Sequence, residues 1–112
     1  ETIASALSFT AHLLAKHQDV QDKVRAEVKL LLEEYGGINY DNISRLQYLN
    51  QVISESLRVY PPIPGQLNRK CVKDFKFNGF RIPKETQIQV PVRLIHHDPR
   101  YWVDPEEFNP DR

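Results

Sequence analysis

The fold is decided by residues 47–62, which read QYLNQVISESLRVYPP. Apolar side chains recur there at steps of three and four, which is the spacing of one face of a helix. They are Leu49, Val52, Ile53, Leu57 and Tyr60. Proline lacks an amide hydrogen and clashes with the preceding helical turn, so Pro61 and Pro62 should end the helix. The sequence therefore predicts a helix over about residues 47–59.

The same helix carries a carboxylate and a guanidinium, Glu55 and Arg58, three positions apart. Side chains at this spacing lie near enough to touch. At about 100° per residue both point away from the apolar stripe, which favours a solvent-exposed ion pair that adds little stability. We therefore expect contact between the two side chains, while the spacing by itself assigns them no function.

Two more helices are predicted before this one. The first covers residues 2–16, and its apolar face consists of Ile3, Leu7, Ala11 and Leu14, with Ala6, Thr10 and Leu13 beside them. The second begins at Asp19, which is a suitable N-cap. Its stripe consists of Val20, Val24, Val28 and Leu31. Gly36 and Gly37 should end this helix, because glycine readily adopts the left-handed conformation of a C-cap.

The second half of the chain alternates polar and apolar residues, as strands do. Residues 75–77 and 80–82 flank Asn78 and Gly79, the dipeptide favoured in two-residue hairpin turns. Residues 87–92 predict another strand, which places a proline at an edge or a strand end. We therefore expect a hairpin and a further strand in this half.

The remaining segments are predicted to be short or irregular. Asp41 or Asn42 should cap a short turn through Leu46, and the chain from Ile95 on, rich in Asp, Pro and aromatic residues, should be mostly irregular. The predicted fold class is mainly α with a small β-sheet region: three helices, then a hairpin and strands, then an irregular loop. The strands are few and short, so we do not expect the chain to close a core of its own.

Composition excludes several classes of protein. The 112 residues carry 15 basic and 15 acidic side chains, and this balance gives no electrostatic argument for nucleic acid or an anionic membrane. A single cysteine, Cys71, cannot form an internal disulfide. No uninterrupted apolar run approaches the roughly 18 residues that span a bilayer. The composition is that of an ordinary soluble globular protein.

Two further groups of residues invite a chemical interpretation. His96, His97 and Asp98 are consecutive, but adjacent histidines do not face one point on a regular element, and no third ligand has suitable spacing, so we predict no metal site. Cys71 stands among basic residues that would favour a thiolate. A lone cysteine is more often structural, and we interpret it so.

Several short motifs follow one another in an order that resembles one family. They are Glu55 with Arg58, Pro61-Pro62, the Asn78-Gly79 hairpin, and YWVDPEEFNPDR at residues 101–112. Cytochrome P450 enzymes carry Glu-x-x-Arg on a helix, a proline-containing substrate loop, a small sheet, and a loop of the form Trp…Pro…Phe-x-Pro-(Glu/Asp)-Arg. The similarity covers all 112 residues. ETIASALSF at the start, Arg69-x-Cys71 and LIHHDP resemble the microsomal branch that holds the drug-oxidising family 3 enzymes and thromboxane synthase.

The resemblance implies roles for individual residues. Glu1 and Thr2 resemble the acid–threonine pair that serves oxygen activation and proton delivery. Glu55, Arg58 and Arg112 would form a buried structural triad, and Arg69 would meet a haem propionate. The substrate pocket would be lined by Pro62, Ile63, Pro64, Gly65, Gln66 and Leu67.

The family also implies cofactors and partners. The parent protein is expected to bind haem b through a cysteine thiolate and to insert one oxygen atom from O2 into an apolar substrate. Electrons would come from a reductase of the NADPH-cytochrome P450 type. The implied location is the cytoplasmic face of the endoplasmic reticulum membrane, with anchoring only through an N-terminal segment outside this chain and no part for nucleic acid.

The resemblance places the chain inside a longer domain. Residues 1–112 would be a partial cytochrome P450 domain, from the end of the long haem-crossing helix through the Glu-x-x-Arg helix and small sheet to the meander before the haem loop. The family's haem-cysteine loop would follow Arg112, so we expect these residues alone to hold no haem and to be inactive. Two alternatives remain: a catalytically dead relative, or a stand-alone helical interaction module.

Overall fold

The computed structural model describes residues 2–63 and 65–112. Within them the helices are α1 (Thr2–Lys16), α2 (Gln18–Tyr35), α3 (Gln47–Val59) and α4 (Val92–His96), with a 3-10 helix at Ile43–Arg45. The strands are β1 (Gln66–Lys70), β2 (Phe75–Phe77), β3 (Phe80–Ile82) and β4 (Gln87–Pro91). The predicted class, mainly helical with a small β region, is confirmed.

The predicted end of α2 is correct and its predicted start is wrong. Gly36 has φ 69° and donates its amide to the Leu32 carbonyl at 2.8 Å, which is the left-handed C-cap. At the other end the N-cap is His17, whose side chain makes no capping hydrogen bond. Asp19 lies inside the first turn, where its negative charge interacts favourably with the helix dipole.

A small core joins the three long helices to the end of the chain. It consists of Leu13, Val20, Val52, Val59 and Phe108. The predicted apolar face of α1 is wrong at Ile3 and Leu7, which are exposed, and correct at Leu13 and Leu14, of which the first is buried in the core and the second packs against it. Within the described residues, α1 contributes to this core only near its C-terminal end, through Leu13 and Leu14.

A carboxylate of α2 fixes the start of α3. Glu27 accepts hydrogen bonds from the amides of Tyr48 at 2.8 Å and Leu49 at 3.0 Å. These amides belong to the first turn of α3, which has no partner for them inside the helix. The residue at the N-cap itself, Leu46, has no side chain that could serve. Glu27 thus caps α3 from a neighbouring helix.

The turn before α3 differs from its prediction in detail. Asn42 immediately precedes the 3-10 helix, but its side chain does not cap it. Its side-chain oxygen accepts the amide hydrogen of Asn39 at 2.8 Å, and its side-chain nitrogen donates to the Gly37 carbonyl at 2.8 Å. Asn42 is 3% exposed, and these two hydrogen bonds stabilise the turn from inside.

Two antiparallel strand pairs make up the β region. The predicted hairpin is confirmed, with Phe77 paired to Phe80 across Asn78 and Gly79, whose φ angles of 46° and 83° are both positive as a type I′ turn requires. In the other pair β1 runs beside β4. The sequence did not reveal β1, because QLNRK has no alternation of apolar residues and becomes a strand only through its pairing with β4.

The structure also differs from the prediction in the segment after β4. The predicted strand extended to Val92 and the chain was expected to be irregular from Ile95, whereas β4 ends at Pro91 and Val92–His96 form α4. Proline has no amide to continue the ladder, and its fixed φ suits the residue before a helix. Among the described residues, no helix combines the length and the apolar character that crossing a membrane requires.

Candidate functional site

Glu55 and Arg58 form a buried ion pair on α3. Arg58 Nε lies 2.8 Å from Glu55 Oε2, and Arg58 Nη2 lies 2.8 Å from Oε1, which is the bidentate arrangement. Glu55 is 7% exposed and Arg58 4%. The predicted contact is present, and the expectation of a solvent-exposed pair is wrong. The C-terminal segment of the chain covers this side of α3, which periodicity within one helix cannot reveal.

Arg58 uses all of its hydrogen-bond donors. Besides the bonds to Glu55, its Nη1 donates to the carbonyls of His96 at 2.8 Å and Pro105 at 2.7 Å, and its Nη2 donates to that of Glu107 at 2.9 Å. A guanidinium has five N–H groups, and each has an acceptor here. The guanidinium carbon also lies 5.0 Å from the centre of the Trp102 ring. Arg58 therefore joins α3 to α4 and to the loop beyond it.

A second arginine reaches the same carboxylate from the end of the chain. Arg112 Nε lies 3.0 Å from Glu55 Oε1, and the Asn109 amide donates to the same oxygen at 3.1 Å. Arg112 also donates to the carbonyls of Val103, Asp104 and Glu107. We call Glu55, Arg58 and Arg112 the Glu55 cluster. It pairs one negative charge with two positive ones and holds residues 103–109 through their backbone.

The environment of Glu55 favours its ionised form. Burial alone raises the pKa of a carboxyl group, because the charged form loses its hydration. The hydrogen bonds from Arg58, the Asn109 amide and Arg112 outweigh burial, and the pKa of Glu55 lies below its ordinary value of 4.5. The carboxylate is therefore charged at neutral pH and fully committed to its partners.

An apolar cavity of about 410 Å³ opens on the other side of α3. Its wall consists of Leu57, Pro61, Pro62, Ile63, Gly65, Gln66, Leu67, Val92 and His96. The described residues of the predicted pocket are thus brought to one cavity, while Pro64 lies outside the described residues. Sequence reasoning missed Leu57, Pro61, Val92 and His96 as wall residues. Val92 and His96 were missed because α4 was not predicted.

The other predicted site residues lie apart from the Glu55 cluster. Thr2 is the exposed first residue of α1, and Glu1 lies outside the described residues. Arg69 is exposed on β1, where it donates to the Asn68 carbonyl at 3.0 Å and forms no ion pair with a described carboxylate. Cys71 donates its thiol to the Lys73 carbonyl at 2.9 Å.

Histidines and acids do not gather into a metal centre in the part of the chain that the structure describes. No three His, Cys, Asp or Glu side chains are placed there so that they could share an ion. His96 and His97 point to different surroundings: the former lines the apolar cavity and the latter contacts Glu106. Trp102 and Asn109 contact the Glu55 cluster although sequence reasoning gave neither of them this role, and both lie within the motif at residues 101–112.

Glu55 should make the stability of the protein depend on pH. Its pKa is lowered in the folded state, so its contribution is complete above the unfolded value near 4.5 and is lost as pH falls through the folded pKa. Glu55→Gln should cost about 3–5 kcal/mol at pH 7, because the buried Arg58 and the partly exposed Arg112 lose their counter-charge. Denaturant unfolding from about pH 7 down to pH 3 should show this difference shrinking in acid. A constant difference over that range would contradict the account.

Comparison with known proteins places the chain in a family. The family model described as Cytochrome P450 matches residues 1–112. Cytochrome P450 3A6 of Oryctolagus cuniculus and cytochrome P450 3A13 of Mus musculus are each 46% identical over the whole chain, and cytochrome P450 3A5 of Homo sapiens is 43% identical. The chain spans 22% of the length of each. Since the match extends from the first residue to the last, the chain belongs to the cytochrome P450 family.

Proposed function

We propose that the protein containing this chain is a haem-dependent monooxygenase that inserts one oxygen atom from O2 into an apolar organic substrate. The observation that carries the proposal is the family match over all 112 residues, together with 46% identity to relatives named cytochrome P450. The electrons would come from a reductase. The endoplasmic reticulum membrane is the location proposed from the same relatives.

The described residues fit one side of a haem pocket. Haem presents an apolar macrocycle with negatively charged propionates at its rim. Leu67 and Arg69 lie two positions apart on β1 and so point to the same face of the strand. Leu67 belongs to the wall of the apolar cavity, and the Arg69 guanidinium forms no ion pair with a described carboxylate. An apolar surface with a free cation beside it suits such a group.

Thiolate-ligated haem would supply the activation of O2, since the thiolate favours cleavage of the O–O bond. The residues of this chain have supporting tasks. Thr2 has a hydroxyl that both donates and accepts, which suits the relay of a proton, and Glu1 is the acid proposed beside it. The apolar cavity, with Pro62 and Leu67 in its wall, would hold the substrate and exclude water from it.

The Glu55 cluster is proposed to be structural and not catalytic. Every donor of Arg58 already has an acceptor, and Glu55 is bound by Arg58, Arg112 and the Asn109 amide. The carboxylate is 7% exposed and accepts four hydrogen bonds from within the chain, so it is poorly placed to take a proton from a substrate. The cluster instead fixes the chain up to Arg112, and the family resemblance places the haem-cysteine loop after this residue.

Cys71 offers a test of the proposed function. Its thiol is bonded to the Lys73 carbonyl at the edge of the β region, so we do not propose it as the iron ligand. In the protein that contains this chain, reduction and addition of carbon monoxide should give the red-shifted Soret band of thiolate-ligated haem, and Cys71→Ser should keep this band. No such band in the unsubstituted protein would refute the proposed function. Its loss in Cys71→Ser alone would refute only the ligand assignment.

Arg112 should control haem retention more than substrate affinity. In the same protein Arg112→Ala leaves Glu55 with one charged partner in a poorly hydrated place, at a cost of about 3–5 kcal/mol. The loosened segment should release haem, so haem per mole of folded protein should fall. Arg112→Lys should recover part of the loss, because lysine keeps the charge without the fork geometry.

Substrate-induced spectral titration of the remaining holoprotein provides the comparison. The dissociation constant of the substrate should change by less than about threefold in both variants, which corresponds to under 1 kcal/mol. Full haem occupancy with weakened substrate binding would assign Arg112 to the pocket and contradict the structural role. Lys23→Ala removes the exposed ion pair with Asp111 beside Arg112 and should leave both measurements unchanged.

A further inference from the structure

His97 lies between the C-terminal end of α3 and the loop that the Glu55 cluster holds. Its Nδ1 is 2.9 Å from Glu106 Oε1, and its Nε2 is 3.2 Å from the Val59 carbonyl oxygen. The His97 side chain is 9% exposed. Water therefore has little access to the ring, and the two oxygens are the polar partners that the structure provides for it.

Both partners of the ring can only accept a hydrogen bond. A carbonyl oxygen and an ionised carboxylate have no hydrogen to donate. A neutral imidazole has one N–H and one lone pair, so it satisfies one partner and turns its lone pair toward the other. The imidazolium ion has two N–H groups and satisfies both. The geometry of the site therefore suits the charged ring alone.

We infer that His97 is a cationic clamp that fastens the loop around Glu106 to the end of α3 and loosens when the ring loses its proton. The carbonyls of Pro105 and Glu107, on either side of Glu106, both accept from Arg58. The clamp thus positions two acceptors of the Glu55 cluster. His97 touches none of the three charged residues of the cluster through its side chain and acts as a positioning residue.

Among the charged groups and dipoles around His97, some favour a positive charge on the ring and others disfavour it. The Val59 carbonyl lies at the negative end of the α3 dipole, which favours a cation. Arg58, next to Val59, and Arg93 on α4 disfavour one by repulsion. Among the described residues, no acidic side chain other than Glu106 forms an ion pair with His97, while Glu55 binds Arg58 and Arg112 and Asp98 binds Arg100.

The test is hydrogen exchange at two amides of the loop, in the protein that contains this chain. The Glu107 amide donates to the Asp104 carbonyl at 3.0 Å, and the Asn109 amide donates to Glu55 at 3.1 Å. Histidine changes charge between about pH 5 and 8. From about pH 6 to pH 8, protection factors corrected for intrinsic exchange should fall about tenfold at these amides, the effect of one lost charge-assisted bond. The amides of α2 provide the internal reference and should not change.

Two substitutions separate the clamp from general pH effects. His97→Arg keeps a cation and several donors at every pH, so loop protection should be high and independent of pH. Glu106→Gln supplies an amide that can donate to the lone pair of the neutral ring, so the pH dependence should fall below about twofold. Glu106 is exposed, and this variant should fold like the unsubstituted protein. His12→Gln, at an exposed position of α1, is the control and should keep the tenfold change.

The inference is contradicted by either of two results. The unsubstituted protein would show no loss of protection at Glu107 and Asn109 relative to α2. Alternatively, Glu106→Gln would keep the same pH dependence as His12→Gln. Both measurements are made on backbone amides, so they do not depend on whether the proposed oxygenase activity is found.

Discussion

One carboxylate shared by two guanidiniums organises this structure. Glu55 would be costly to bury alone, and so would Arg58 without it, while the partly exposed Arg112 supplies a second positive charge. Together they satisfy one another and recruit the backbone carbonyls of the C-terminal loop. The loop has little regular secondary structure, so its path over α3 depends on these polar contacts and on the buried side chains of Phe108 and Pro110.

The arrangement stabilises a specific path more than it stabilises the chain in total. Buried ion pairs add little net stability compared with apolar residues of the same size, whereas removal of one partner is strongly destabilising. A cluster of this kind therefore penalises every alternative position of the loop. That property suits a segment that we propose leads to the ligand of a haem iron.

The sequence predicted what local rules determine. The end of α3 before Pro61, the hairpin at Asn78 and Gly79, and the C-cap at Gly36 all follow from nearest-neighbour chemistry. It did not predict what depends on a distant partner. The burial of Glu55 requires the loop 50 residues and more along the chain, β1 requires β4, and the cap that Glu27 provides requires a neighbouring helix. Among the site residues, the pattern of short motifs identified the Glu55 cluster, whereas Trp102 and the carbonyl acceptors became evident only in three dimensions.

The most direct test of the central claim is a double-mutant cycle on Glu55→Gln and Arg112→Ala, measured as the free energy of unfolding. If the two residues act as one buried unit, the double variant should lose at least about 1.5 kcal/mol less than the sum of the single losses, since directly coupled residues deviate from additivity by about 0.5–3 kcal/mol. The cycle Glu55→Gln with Lys23→Ala provides an additive reference. Additivity of Glu55→Gln and Arg112→Ala within about 0.5 kcal/mol would contradict the account.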